Sequence, residues 1–208
     1  MGLKKISENV GLRKIAARDY GRDGQGLLEQ LNDPDVSTRR WAARDLVQHP
    51  DLMAPLCEAL PQERDLSVRE VMFTTLSQVG GQAVVQGLLP LLRSEDPNLR
   101  NGAIETLSGL PDDVGGSIDG LLRDADVDVR IFTVNLLGDL KHPRVVDWLS
   151  HSLKNDVHVN VVAAALEVAA EVGSESLRPA IQSARSRFGG DPFIGFAADL
   201  AEQRIQGS

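Results

Sequence analysis

Asp96-Pro-Asn-Leu-Arg100 is one of five copies of a short phrase that recurs along this 208-residue chain. Successive copies begin 30 or 31 residues apart. The five are Asp35-Val-Ser-Thr-Arg39, Asp65-Leu-Ser-Val-Arg69, Asp96-Pro-Asn-Leu-Arg100, Asp126-Val-Asp-Val-Arg130 and Asp156-Val-His-Val-Asn160. A fixed period of this length is typical of a solenoid, in which each unit buries its apolar face only against its neighbours. The spacing therefore predicts a stack of similar units.

Each unit is predicted to be a helix, a turn and a second helix. In the third copy an apolar run ending at Leu92 precedes a polar turn, and apolar residues then recur at helical spacing from Leu99 onward. Asp96 is expected to cap the second helix, and Pro97 suits its first position because no amide donor is needed there. The same capping role is predicted for Asp35, Asp65, Asp126 and Asp156.

The second helices also share a pattern of small and large apolar residues. Position seven after the aspartate is small in three copies, which lets neighbouring helices approach closely, and position eleven is leucine in four. These residues are Ala42, Ala103 and Ala163, with Leu46, Leu76, Leu107 and Leu137. The pattern predicts an all-α fold whose core runs between the units.

Fainter copies stand at both ends of the chain. Residues 1–24 are interpreted as a truncated first repeat, residues 25–173 as the clear repeats, and residues 174–208 as a degenerate last repeat that keeps Asp191-Pro192. Terminal repeats are usually atypical because one of their faces meets solvent. We expect one domain over residues 1–208, built from about six to seven helical pairs.

The repeated phrase, with alanine at the crowded position, resembles HEAT repeats of the short HEAT-like or phycobilisome-lyase type. The resemblance implies a right-handed α-solenoid whose second helices line a concave groove, and most often a protein-binding scaffold. It also implies a ladder between adjacent units, which should stop at Asn160 and Gly195, where the phrase loses its arginine. The ladder residues would be Asp35, Arg39, Asp65, Arg69, Asp96, Arg100, Asp126, Arg130 and Asp156.

The predicted groove has a basic end. Positions five and nine after each anchor should face the groove, since positions three, seven, eight and eleven face the core. In the first two copies these positions hold Lys14, Arg18, Arg40 and Arg44. They could bind an acidic partner segment or a phosphate. Alternatively, they form a solvated helix face paired with Asp19 and Asp45.

The other end of the predicted groove is apolar. Ile131, Val161, Ala165 and Val168 are interpreted as an exposed docking strip for a partner. Alternatively, the last helices bury these side chains, or the helical phase differs from the one assumed. The groove would thus change from basic, through polar, to apolar along the stack.

Composition narrows the classes of function. Residues 1–44 hold nine Lys or Arg against six Asp or Glu, whereas the whole chain has a net charge of −8. A groove that loses its basic residues after two repeats would contact few phosphates, which disfavours nucleic-acid binding and a HEAT-like glycosylase. The single cysteine, Cys57, predicts a buried thiol and a reducing compartment. Without an apolar run of membrane-spanning length, we expect a cytoplasmic protein that does not enter a membrane.

These observations predict a non-enzymatic adaptor that binds a protein partner along its groove. A bacterial signalling or assembly role is the specific expectation, with no cofactor, no metal and no assigned oligomeric state. The histidines are not arranged as the His-Glu pairs of metal-dependent HEAT-like enzymes, and the sequence has no Gly-x-Ser-x-Gly elbow. The resemblance implies one alternative, a bilin-lyase subunit or a chaperone of tetrapyrrole proteins.

Overall fold

The computed structural model describes residues 21–206, which form twelve α-helices in six consecutive pairs. The first helices of the pairs are α1 (Gly24–Gln30), α3 (Met53–Ala59), α5 (Gln82–Leu88), α7 (Pro111–Leu121), α9 (Val145–Asn155) and α11 (Arg178–Arg187). The second helices are α2 (Val36–Asp45), α4 (Leu66–Val79), α6 (Pro97–Ser108), α8 (Val127–Asp139), α10 (Val159–Val172) and α12 (Pro192–Gln206). Residues 1–20 of the predicted N-terminal repeat lie outside the described residues.

The helices form two layers. Each second helix packs on the next one along the chain, from α2 on α4 through to α10 on α12. First helices pack in a parallel layer, as α3 does on α5 and α9 does on α11. The chain is therefore an α-solenoid, as the repeat predicted, and it has the right-handed fold class that the resemblance to HEAT repeats implied.

The core lies between the layers and follows the repeat. Ala42 and Ala103 at position seven are fully buried, and so are the leucines at position eleven, Leu46, Leu76, Leu107 and Leu137. Small residues at position seven allow close approach because a larger side chain there would meet close-packed neighbours. The predicted core positions are confirmed in these four units.

Four of the five predicted aspartate caps are confirmed. One carboxylate oxygen of each accepts from an amide in the first turn, at Thr38, Ser67, Asn98 and Asp128, over 2.8–2.9 Å for Asp35, Asp65, Asp96 and Asp126. Pro97 stands at the first position of α6, as expected. The repeated phrase therefore starts these second helices by satisfying amides that lack partners within the helix.

The fifth cap was predicted wrongly. Helix α10 begins at Val159, and its cap is His158, whose Nδ1 accepts from the amide of Asn160 over 3.3 Å. Asp156 instead accepts from the amide of His158 over 2.9 Å. A second polar residue with capping ability stands two places after the aspartate, so the helix starts two residues later than the spacing implied. This shift changes which α10 residues reach the surface.

Candidate functional site

The arginines of the repeated phrase tie each turn to its own unit. Each donates to the main-chain oxygen six residues earlier over 2.7–2.9 Å, so that Arg39, Arg69, Arg100 and Arg130 reach the oxygens of Asp33, Glu63, Ser94 and Asp124. These bonds occupy carbonyls in the turn before the second helix. The arginines thereby fix how the second helix leaves the first.

Three of these arginines also reach the next unit. Arg69 pairs with Asp96 over 2.7 Å and Arg130 with Asp156 over 2.8 Å, as the ladder predicted. Arg39 pairs over 2.7 Å with Glu63, and not with the expected Asp65. Glu63 is buried, and its carboxylate is held in place because one of its oxygens also accepts from the amides of Arg64 and Asp65 over 2.8 Å. Each ion pair of the ladder is called a rung below. A rung to Asp35 would need an arginine from residues 1–20, which lie outside the described range.

The predicted rung from Arg100 to Asp126 is not formed. The Arg100 guanidinium lies over the ring of Phe132 at 4.8 Å, and its buried Nε has no hydrogen-bond partner. The nearby Asp124 pairs with Arg93, and Asp126 only caps α8. The aromatic ring replaces the carboxylate as the partner of this arginine.

The ladder stops at Asn160, as predicted. Arg187 of the last pair reaches back instead and donates to the main-chain oxygens of Leu153 and Asp156.

The ion pairs of the ladder lower the pKa values of two carboxyl groups, Glu63 and Asp96. Burial pushes the pKa of Glu63 up, but the bonds from Arg39 and two amides outweigh it, so the net pKa is lowered. The bond from Arg69 lowers the pKa of Asp96, and the amide of Asn98 adds to it.

The second-helix face is the solvent-exposed side of α2, α4, α6, α8, α10 and α12. Two clefts open on it, each between adjacent second helices. The α2–α4 cleft has a volume of about 450 Å³, and the α4–α6 cleft has a volume of about 750 Å³. Positions five and nine line both clefts, as the sequence predicted: Arg40, Arg44 and Thr74 in the first, and Glu70, Thr74, Asn101 and Glu105 in the second.

The described half of the predicted basic cluster lies in the α2–α4 cleft. Arg40 is exposed and forms no ion pair within residues 21–206. Arg44 lies over the ring of Trp41 at 4.0 Å and pairs with Asp45 over 2.9 Å, while its side chain stays 57% exposed. Trp41 itself is 42% exposed. Lys14 and Arg18 lie outside the described residues.

The α4–α6 cleft has a mixed polar and apolar lining, and the packing of one lining residue, Phe73, depends on a glycine. A Cβ on Gly102 would lie 2.3 Å from the ring of Phe73, so only glycine lets this ring pack against α6. The polar part of the lining includes Gln78, Asn98 and Glu105, and its described cation, Arg69, is already paired with Asp96. The exposed cations Arg40 and Arg44 of the α2–α4 cleft are thus followed by a cleft whose described cation already has a carboxylate partner.

The predicted apolar strip is not an exposed surface, which corrects the sequence interpretation. Val161 and Ala165 are fully buried, Val168 is buried, and Ile131 packs in part against the core. For the residues of α10, the cause is the later start of that helix. Counted from His158, Val161 and Ala165 occupy positions three and seven, which face the core in the other units.

Counting from the true cap moves the apolar end of the face to the last helix. Position five then holds Arg40, Glu70, Asn101, Ile131, Ala163 and Phe196, and position nine holds Arg44, Thr74, Glu105, Asn135, Glu167 and Leu200. Sequence reasoning missed Phe193, Phe196 and Leu200, which are 53%, 66% and 37% exposed. The signal was available, because Asp191-Pro192 marks the start of α12 as Asp96-Pro97 marks that of α6.

The described residues were also searched for a reactive thiol, a metal site and a membrane-spanning helix. Cys57 is buried in α3, and burial raises the pKa of its thiol to about 12. Within residues 21–206, no three His, Cys, Asp or Glu side chains are arranged to hold a metal ion. None of the helices in the same range has the length and apolar character needed to cross a bilayer.

Comparison with known proteins agrees with the fold. The family model for HEAT repeats matches residues 24–109 and 116–191. A stretch of 74 residues is 38% identical to the bilin biosynthesis protein PecE of Mastigocladus laminosus, and it covers 35% of this chain but only 28% of PecE.

One solved structure with a TM-score above 0.5 agrees with this fold. A TOG-domain array of microtubule polymerases, studied for tubulin recruitment and assembly, superposes with a TM-score of 0.52 at 10% identity, covering 88% of this chain and 45% of that chain. The archaeal HEAT-like repeats protein of Thermococcus onnurineus NA1 gives 0.45 at 21% identity, covering 88% of each chain. With most of its length matched by the family model, this chain belongs to the HEAT-repeat family.

Proposed function

We propose that this protein is a non-enzymatic scaffold that binds a segment of a partner protein along the second-helix face. The partner segment would place acidic residues against Arg40 and Arg44. The observation that carries this proposal is the α2–α4 cleft, where two exposed cations flank the part-exposed Trp41. Such an aromatic and arginine combination is typical of the residues that dominate binding energy at protein interfaces.

The charges of the cleft favour an anionic ligand. Arg40 has no ion-pair partner within residues 21–206, so a carboxylate could bind there without displacing any residue of that range. Arg44 keeps more than half of its side chain exposed although it contacts Trp41 and Asp45. A guanidinium offers several donors in one plane, so it can bind a second carboxylate while holding the first.

The cleft is also held in shape before any partner arrives. Thr75 of α4 donates to the main-chain oxygen of Ala43 in α2 over 2.8 Å, and both residues are buried. The two walls of the cleft are therefore joined at its floor. Binding to a fixed surface costs less ordering entropy than binding to a mobile one, which favours a scaffold role.

We also propose the kind of complex in which the partner occurs. A bacterial signalling or assembly complex in the cytoplasm agrees with the single buried cysteine, which needs no oxidising compartment. A second candidate is a subunit or chaperone in bilin biosynthesis, favoured by the similarity to PecE over 74 residues. In that case the buried Cys57 is a poor chromophore acceptor, so the protein would act on another chain.

Charge reversal tests the scaffold proposal. Arg40→Glu with Arg44→Glu should reduce capture of partners from lysate of the native cell, as quantified by mass spectrometry against wild type. Arg64→Glu with Arg123→Glu is the matched control, since both residues are exposed outside the α2–α4 cleft. Equal loss in both pairs, or no loss in the first, would rule out the basic cleft. Co-purification of a visible tetrapyrrole with the wild-type protein would favour the bilin candidate.

A further inference from the structure

We propose that the exposed side of α12 is a separate docking site for an amphipathic partner helix that carries lysine or arginine beside an apolar row. Phe193, Phe196 and Leu200 form the apolar row of the site. Glu167 and Glu171 of the neighbouring α10 supply its acidic flank. This site is independent of the proposal for Arg40 and Arg44, which lie at the other end of the described face.

The apolar row is concentrated on one helix. Six large apolar side chains are exposed within residues 21–206, and three of them are Phe193, Phe196 and Leu200. Their spacing of three and seven residues puts them on neighbouring turns of α12, over about 10 Å of helix. Single exposed apolar residues are common on proteins, but a row of large ones marks an interaction surface.

The row is not part of the folding core. Helix α12 buries its other side, including Ile194, Ala198, Ala201 and Ile205, and packs extensively on α10. Counted from the caps His158 and Asp191, Phe193 and Leu200 correspond to Asn160 and Glu167, which are both exposed. Phe196 corresponds to the small Ala163, so the preceding unit is polar at two of the three positions and has no large apolar side chain at any of them. The stack therefore does not require phenylalanine or leucine there.

The charges beside the row indicate the occupant. Every charged side chain exposed on α8 and α10 is acidic: Asp128, Asp139, Glu167 and Glu171. Glu167 stands at position nine, in register with Leu200 on the next helix. On the α11 side Asp199 is already paired with Arg185 over 2.6 Å. Glu167 and Glu171 have no ion-pair partner within residues 21–206, and the exposed Arg204 of α12 lies beyond Leu200, at the C-terminal end of the row. An apolar segment approaching across α10 would therefore meet negative charge, which selects cations on that segment.

The geometry suits a helix. A partner helix with apolar residues at spacings of three, four and seven presents them along one stripe, as α12 does. Two such stripes pack along about two turns, and lysine or arginine next to the partner's stripe would lie over Glu167 and Glu171. A partner with carboxylates in those places would be repelled.

A designed peptide tests both parts of the recognition. The probe is a short synthetic helix with leucine at spacings of three, four and seven and lysine on the flanks. Two matched peptides replace every lysine by glutamate or every leucine by glutamine. Binding of all three to the full chain is measured by fluorescence anisotropy at low and at high salt.

The lysine peptide should bind, and both matched peptides should bind at least about tenfold more weakly. Phe196→Ser with Leu200→Ser should weaken binding by about tenfold or more. Glu167→Gln with Glu171→Gln should weaken it severalfold and reduce its salt dependence, because the ion pairs are screened. Val157→Ser is the control. Val157 is 84% exposed but lies in the turn between α9 and α10, away from the apolar row, so its substitution should not change the affinity for the peptide.

Equal binding of the glutamate peptide, or equal loss in the Val157 variant, would overturn the proposal. Sedimentation of wild type as a dimer, lost on Phe196→Ser with Leu200→Ser, would also overturn it by making a second copy the occupant. Unchanged helicity and melting of the variants would show that an affinity loss comes from the surface. The substituted residues are exposed, so we expect this.

Discussion

Arg69 on α4 donates to Asp96, the residue that caps α6, with its Nη1 2.7 Å from the carboxylate oxygen. The other oxygen of Asp96 accepts from the amide of Asn98, at the start of α6. One carboxylate thus starts a second helix and joins it to the preceding one. Capping and stacking are therefore coupled through Asp96, whereas the ion pairs of Arg39 and Arg130 end on Glu63 and Asp156, which are not the N-caps of α4 and α10.

Removing a rung should destabilise the stack more than removing an arginine without one. Arg69→Met should lower the free energy of unfolding by about 1–3 kcal/mol, because the buried Arg69 loses both its ion pair with Asp96 and its bond to the main-chain oxygen of Glu63. Arg100→Met should cost about 0–1 kcal/mol, since Arg100 has no carboxylate partner and buries an unpaired Nε. Urea unfolding followed by circular dichroism compares the two. A cost for Arg100 equal to that for Arg69 would contradict the rung assignment.

Glu63 should contribute stability that depends on pH. Its pKa is lowered in the folded chain, so the contribution is complete above the ordinary glutamate pKa of about 4 and is lost as the pH falls through the lower folded value. Glu63→Gln should cost about 1–3 kcal/mol at neutral pH. Urea titrations over a pH series should show the gap between wild type and variant narrowing below about pH 4. A gap that stays constant to lower pH would contradict the shift.

Two helical glycines should respond to alanine in opposite directions. Gly102→Ala should destabilise, because the new Cβ would lie 2.3 Å from the Phe73 ring and the ring must move. Gly116→Ala in α7 should stabilise by about 0.5–1 kcal/mol, since its Cβ would meet nothing within 4 Å. Thermal melts of the two variants decide the sign of each change. Stabilisation by Gly102→Ala would show that Phe73 is not held against α6.

Overpacking tests the close approach of the second helices. Ala103→Leu should lower the free energy of unfolding by about 1–3 kcal/mol, because Ala103 is fully buried at position seven. Ala83→Leu on α5 is the control, since Ala83 is exposed and a leucine there enters solvent. Chemical denaturation measures both. A neutral Ala103 variant would mean that the second helices are further apart than the structure shows.

Most of the fold could be predicted from the sequence because the same pattern of helix caps and apolar residues recurs in each copy of the repeat. The caps Asp35, Asp65, Asp96 and Asp126, and the buried Ala103 and Leu107, were all predictable from spacing and residue size. The described part of the basic cleft, Arg40 and Arg44, was also placed correctly on the second-helix face. Local capping and helical periodicity decide these features, and both can be read from one chain.

The predictions that were wrong concern places where two neighbouring groups could play the same role, as a helix cap or as the partner of an arginine. His158 and Asp156 can both cap a helix, and spacing alone does not decide between them, so Val161 and Ala165 were assigned to the surface. Glu63 lies outside the repeated phrase, yet its buried carboxylate pairs with Arg39 in place of the expected Asp65. Phe132 replaces a carboxylate as the partner of Arg100. Each outcome depends on three-dimensional packing that a linear motif does not contain.

Site-specific photo-crosslinking tests most directly the claim that the second-helix face is the binding surface. A photoreactive residue is placed at Thr74, in the lining shared by the two clefts, and in a separate variant at Gln86, which is exposed on α5 in the first-helix layer. We predict that irradiation in the native cell gives a discrete crosslinked partner from position 74 and none from position 86. The same partner crosslinked from position 86 and not from position 74 would contradict the account.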